Sequence, residues 1–170
     1  MSCAIGGFVV GRHNHITGQW ANYLTENQDF DNVEIEQIVP GANADTAPRL
    51  DINAVDASGQ VLSLDITVAN PCTPTALEAG SAVTAGAAAR LLEMVKRRKY
   101  PNIDVSPIAI EAHGRLGPAT LEFIKKLGKH IDPHLRPKHI ASLQQDVACA
   151  LQRANATSIL KAAAAVAAPT

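Results

Sequence analysis

Apolar residues recur along this chain with two different periods, and their succession lays out the predicted elements. Across residues 12–27, Ile16, Trp20 and Leu24 fall at i, i+4 and i+8 with Tyr23 beside them. That spacing predicts a helix with a buried face, which makes Trp20 a core residue, although Gly18 weakens the helix locally. Across residues 33–39 the period drops toward two, predicting a strand that Pro40 stops. Residues 41–48 are small and turn-forming and read as a loop. Residues 50–55 and 60–69 alternate again and flank Asp56-Ala57-Ser58-Gly59, so they predict a hairpin closed by a tight turn. After the break at Asn70-Pro71-Cys72-Thr73-Pro74, the alanine-rich residues 76–99 read as one long helix or two shorter ones, stopped by Pro101. Residues 105–112 are almost continuously apolar, as in a strand buried on both faces. Pro118 opens a helix to about Leu127, and a last helix covers about residues 137–154, with Ile140, Leu143, Val147 and Leu151 on one side. The pattern leaves the helicity of the alanine-rich residues 162–168 undecided. The order α-β-β-β-α-β-α-α predicts an α/β domain with a mixed central sheet flanked by helices.

Composition narrows the class. The chain has 170 residues, 46% of them apolar, which fits one ordinary domain with a real core and excludes wholesale disorder. No apolar run approaches the roughly 20 residues of a spanning helix, so no membrane partner is expected. No charged segment followed by a long apolar stretch opens the chain, so the protein is expected to be non-secreted. Cys3, Cys72 and Cys149 are odd in number and widely spaced, which argues for free thiols and a reducing, intracellular setting. A net charge of −1 by itself speaks against nucleic acid as a partner, but the distribution reverses that reading. Residues 1–85 carry 2 basic and 10 acidic side chains, while residues 86–140 carry 11 basic and 5 acidic ones. Carboxylates folded against a basic face suit a metal-dependent enzyme acting on a polyanion, because carboxylates hold the cation and Lys/Arg hold phosphate. A solvated surface is the alternative that charge alone leaves open.

Asp51 and Asp65 sharpen this. With 13 residues between them they flank the predicted hairpin, each among apolar neighbours: Leu50 and Ile52 in one case, Leu64 and Ile66 in the other. Pairing about the turn can bring both onto neighbouring strands. Carboxylates inside strands are costly unless paired, hydrogen-bonded or bound to metal. Two that repel each other invite a divalent cation. On spacing alone, both could equally face solvent from the polar side of the hairpin.

Arg49-Leu50-Asp51-Ile52 and Leu64-Asp65-Ile66-Thr67-Val68 resemble the (Arg/Lys)-Pro-Asp…Asp pattern of a known family. It is the restriction-like endonuclease domain (PD-(D/E)xK superfamily) at the C-terminal end of non-LTR retrotransposon reverse transcriptase polyproteins. Cys3-Ala4-Ile5-Gly6-Gly7 with Arg12-His13-Asn14-His15-Ile16 is similar to its Cys…Gly-Gly…Arg-His-Asn segment. Lys96-Arg97-Arg98-Lys99-Tyr100 resembles its Lys-x-x-Lys-Tyr helix end, and residues 110–117 the following strand and glycine loop. The likeness runs from about Cys3 to Leu127.

It implies a restriction-endonuclease-like fold and a Mg²⁺- (or Mn²⁺-) dependent DNA endonuclease that nicks target DNA to prime reverse transcription. The implied partners are DNA, retrotransposon RNA and a reverse transcriptase domain in a longer chain, and the implied location is nuclear. By the same resemblance Asp51 and Asp65 are metal ligands, with the Ile66 carbonyl a third and Glu36 a candidate outer ligand. The catalytic lysine is Lys96 or Lys99, with Lys96 preferred because it sits one turn inside the helix. Arg12, His13, Arg97, Arg98, Tyr100 and Arg115 are the implied nucleic-acid contacts. The chain also departs from the pattern. Leu50 replaces the family's proline, and Thr67 stands where many related enzymes carry their lysine. Of the family's zinc-knuckle ligands only Cys3 is present, so residues 1–11 read as a remnant and zinc is not expected. Residues 12–131 are then the endonuclease-like domain, 132–160 a C-terminal helix and 161–170 a low-complexity tail. The alternative function is a catalytically inactive nucleic-acid-binding or interaction domain on the same fold.

Overall fold

The computed structural model describes residues 6–26, 30–38 and 49–167. Along the chain these form α1 (Gly6–Glu26), β1 (Phe30–Ile38), β2 (Arg49–Asp56), β3 (Val61–Ala69), α2 (Pro74–Glu78), α3 (Ala87–Lys99), β4 (Val105–Glu111), α4 (Pro118–Leu127) and α5 (Arg136–Ala167), with a 3₁₀ turn, Gly128–His130, after α4. The strands make one mixed sheet in the order β1-β2-β3-β4. The first two pairings are antiparallel; the third is parallel, with α2 and α3 in its crossover. The predicted mixed α/β class and element order are therefore present.

The β2–β3 turn is built by its own side chains. Asp56 Oδ1 accepts from the Ser58 and Gln60 amides, both at 2.9 Å, and Gly59 supplies the left-handed backbone at φ +84°. One face of the sheet packs Ile52, Leu64, Ile66, Ile108 and Ile110 against Ile16, Trp20 and Leu24 of α1 and against Phe123, Leu143 and Leu151 of α4 and α5. Trp20 and Phe123 meet with ring centroids 5.9 Å apart. The other face is lined by Ala69 and Ala109 and covered by Ala76, Ala88 and Ala89, so the alanine-rich composition lets α3 lie close on the strands.

The N-termini of α3 and α4 share a device. Both helices follow a glycine, Gly86 and Gly117, that has no side chain to cap the first amides. Buried glutamates from elsewhere in the fold substitute. Glu93 of α3 accepts from the Ala119 and Thr120 amides of α4, both at 3.1 Å, and from the Thr120 hydroxyl at 3.2 Å. Glu111 at the end of β4 accepts from the Ala89 amide of α3 at 3.4 Å. A Cβ at Gly117 would lie 2.1 Å from Glu93 Oε1, so the glycine is what admits the capping carboxylate. β4, the last strand of the sheet, is also sealed on its outer side: the Thr120 hydroxyl and the Gly117 amide hydrogen-bond Ala109, each at 2.8 Å.

Two helix ends differ from those expected, and one open alternative resolves. α1 begins at Gly6, not Arg12, so residues 6–11 belong to the first helix; Cys3 lies outside the described residues. Residues 76–99 resolve into two helices, parted by a turn in which Gly80 and Gly86 both take positive φ. α5 continues without a break to Ala167, past the end expected near Ala154. Its alanines favour the helix intrinsically even though Ile159, Leu160 and Val166 remain exposed. Asn27, Val39 and the loop at 41–48 also lie outside the described residues. Among the described residues, no helix is long and apolar enough to cross a membrane.

Candidate active site

The β2–β3 register runs from Val55↔Val61 to Ile52↔Leu64 and stops one residue short of the aspartates. Continued, it would set Asp51 opposite Asp65 as a cross-strand pair on one face. Here a side chain replaces the backbone ladder: Asp51 Oδ2 accepts from the Ile66 amide at 2.5 Å. A strand residue sends its N–H and C=O toward the same neighbour, so the Ile66 carbonyl also lies on the Asp51 side. From α1, His13 Nε2 stands 3.1 Å from the same Asp51 oxygen. From α3, Lys96 Nζ donates to Asp65 Oδ1 at 2.5 Å.

Asp65 is 2% exposed, and its second oxygen, Oδ2, is buried without a hydrogen-bond partner. Such an orphaned carboxylate oxygen costs free energy unless something else supplies positive charge. The two acids are driven apart electrostatically. Burial pushes the Asp51 carboxyl up, but the His13 contact and the Ile66 amide outweigh it and hold Asp51 below the usual carboxylate range. Burial pushes Asp65 up as well; Lys96 opposes this and the nearby Asp51 charge adds to it, leaving Asp65 above the usual range. The Asp51 hydrogen bond raises His13 against the lowering effect of burial.

Asp51, Asp65 and the Ile66 carbonyl would supply oxygen donors, the kind that Mg²⁺ or Mn²⁺ takes. The orphaned Asp65 oxygen fits that use. Among the described residues, no cluster of three or more His, Cys, Asp or Glu side chains is arranged to hold a metal.

The other expected site residues fall in different places. Lys99 is exposed, with Nζ 4.7 Å from the Tyr100 ring centroid, and makes no contact with either acid. Tyr100 is 3% exposed, so it is not a surface contact. Its hydroxyl donates to the Arg49 carbonyl at 2.9 Å, and its ring packs with Leu50 and Val105. Burial, then the charge on Asp65, raises the phenol, which stays neutral. Arg12 points to α5, where Nη1 donates to Asn155 Oδ1 at 3.3 Å, so it joins two helices. Glu36 is exposed and 3.9 Å from the Arg49 guanidinium, at the β1 position that the β1–β2 register sets opposite Asp51. Arg97, Arg98 and Arg115 are exposed and open to a ligand. Cys72 and Cys149 are exposed free thiols. His113 lies 3.2 Å from the buried Glu111, outside the carboxylate site.

Sequence reasoning missed the packing role of Tyr100 and the capping glutamates. The glycines that precede α3 and α4 were the available signal for the latter. Compared with models of known protein families and with curated proteins, the chain matches none.

Proposed function

We propose that this chain is a metal-dependent phosphodiesterase domain that nicks DNA, the activity implied by its resemblance to the retrotransposon restriction-like endonucleases. The observation that carries the reading is the convergence of Asp51, Asp65 and Lys96 around a buried carboxylate oxygen that has no partner. Asp51, Asp65 and the Ile66 carbonyl would hold Mg²⁺ or Mn²⁺. When bound, such a cation polarises a phosphoryl oxygen and lowers the pKa of an attacking water.

The chain's own groups do the rest. His13 and the Ile66 amide fix the Asp51 carboxylate in place and keep it ionised. Lys96 neutralises Asp65 in the metal-free state and is positioned to offset charge developing on the phosphate. Tyr100 anchors the start of β2, two residues before Asp51, to the end of α3, four residues after Lys96. The exposed Arg97, Arg98, Lys125 and Lys126 give the α3–α4 side a basic surface for nucleic-acid phosphates. Nuclear location, an RNA partner and an attached reverse transcriptase domain belong to the same proposal.

The second reading, a non-catalytic nucleic-acid-binding domain, draws on the absence of a third acidic or histidine ligand among the described residues. Nicking of supercoiled plasmid with Mg²⁺, by wild type and Asp65→Ala, decides between them. Nicking by wild type alone supports the endonuclease. Equal nicking by both assigns the activity to a contaminant, and no nicking with DNA retained on a low-salt gel supports the binding domain.

A further inference from the structure

Outside the carboxylate site, an open groove of about 770 Å³ runs between α3, α4 and the loops before α3 and after β4. The charged residues in its lining are two arginines, Arg90 of α3 and Arg115 of the β4–α4 loop, and no acid lines it. Arg90 makes no ion pair among the described residues. Arg115 Nε pairs at 3.9 Å with Glu111, which His113 and the Ala89 amide also engage, and its Nη groups make no hydrogen bond among the described residues. Leu91, Met94 and Leu121 form an apolar floor. Arg97 lies two turns beyond Arg90 on the same side of α3, about 10.5 Å along the axis. It lines an adjoining hollow with Lys126, where Asp104 and Glu122 end the basic run.

The groove faces away from the acids. Lys96 reaches in to Asp65 on β3, whereas Arg90, six residues earlier, is exposed on another face of α3. The volume exceeds that of a single phosphate, and the cations are spaced along a line, which suits a chain of anions. An extended acidic peptide would bring backbone N–H groups that need acceptors, and the uncharged polar side chains of the lining are only Thr84 and Gln144. A phosphodiester chain presents acceptors to two guanidinium forks. No aromatic side chain lines the groove for bases to stack on, so recognition would be of the backbone and independent of sequence.

We infer that this groove holds the sugar–phosphate backbone of a nucleic acid, separate from the strand at Asp51 and Asp65. The inference rests on the nuclease reading for the class of polyanion, and the test separates the two. Binding of a labelled oligothymidylate to the full chain is followed by fluorescence anisotropy across a salt series. Each phosphate contact on a single strand adds about 0.7 to the log–log salt slope, so Arg90→Gln/Arg115→Gln lowers the slope by about 1.4. Arg153→Gln/Lys161→Gln removes two exposed cations from α5 and leaves the slope unchanged. Circular dichroism of each variant confirms its fold. An unchanged slope in Arg90→Gln/Arg115→Gln, no binding by wild type at low salt, or displacement by oligoglutamate at equal charge overturns the inference. Asp65→Asn that binds like wild type but does not nick supports both readings. Asp65→Asn that still nicks defeats the nuclease reading alone, and the slope still judges the groove.

Discussion

Lys96→Met strips Asp65 of the one cation in ion-pair contact with it among the described residues, while methionine keeps most of the apolar stem. The Asp65 side chain is 2% exposed and that of Lys96 20%. An ion pair broken from one side in a protein interior costs about 3–5 kcal/mol. Water reaches the ammonium, so the lower end applies, about 3 kcal/mol. In a domain of this size each kcal/mol moves the midpoint by about 2–4 °C, giving a fall in Tm of about 6–12 °C. The pH dependence follows from the same geometry. Burial and the Asp51 charge already hold Asp65 above the usual carboxylate range, and without Lys96 nothing of comparable strength opposes them. An acid raised on folding penalises the native state once ionised. The penalty is absent below the unfolded pKa and complete above the folded one, so the deficit of Lys96→Met is larger at about pH 8 than at about pH 5. Asp65→Asn/Lys96→Met removes both charges and recovers most of the loss. Thermal melts of wild type, both single variants and the double variant, followed by circular dichroism at both pH values, test this. A Lys96→Met deficit under about 1 kcal/mol, or strictly additive single effects, would refute the argument.

Other outcomes follow from the same contacts. Glu93→Ala leaves two amides of α4 without their acceptor and lowers unfolding free energy by about 2–3 kcal/mol in urea melts, with Glu93→Gln milder. Tyr100→Phe keeps the buried ring but frees the Arg49 carbonyl. It costs about 1 kcal/mol in the same melts and slows nicking without weakening oligonucleotide binding. His13 is raised by its Asp51 hydrogen bond, so its stabilisation is complete below its unfolded pKa and lost as pH rises through the folded value. The Tm gap between wild type and His13→Gln is therefore wider at about pH 6 than at about pH 9.

The hairpin was legible in the sequence because a short turn fixes strand register, and register decides which side chains share a face. That is why Asp51 and Asp65 could be paired from spacing, with resemblance adding Lys96. The resemblance of residues 96–100 to the Lys-x-x-Lys-Tyr helix end implied a nucleic-acid contact at Tyr100, which the fold buries. Only the fold shows that the chain turns inward after α3 and seats the ring on Leu50 and Val105. Arg12 was misread for a related reason: whether a helix side faces solvent or a second helix depends on α5, more than a hundred residues away. Glu93 and Glu111 look like solvated charges in sequence. Their burial becomes intelligible once Gly86 and Gly117 leave two helix N-termini without local caps. The alanine-rich end of α5 gave no packing signal, and intrinsic propensity alone extended it.

The central claim is that Asp51 and Asp65 form one metal-dependent site for phosphodiester cleavage. The most direct test is the single-turnover nicking rate of supercoiled DNA by wild type and by Asp65→Asn, with Mg²⁺ and with chelator. Loss of a group that merely orients a metal ligand costs 10–100-fold, so loss of a ligand is expected to cost at least about a hundredfold. The account predicts nicking by wild type that chelator abolishes and a fall of at least that size in Asp65→Asn. Nicking at the wild-type rate by Asp65→Asn, or undiminished nicking in chelator, would contradict it.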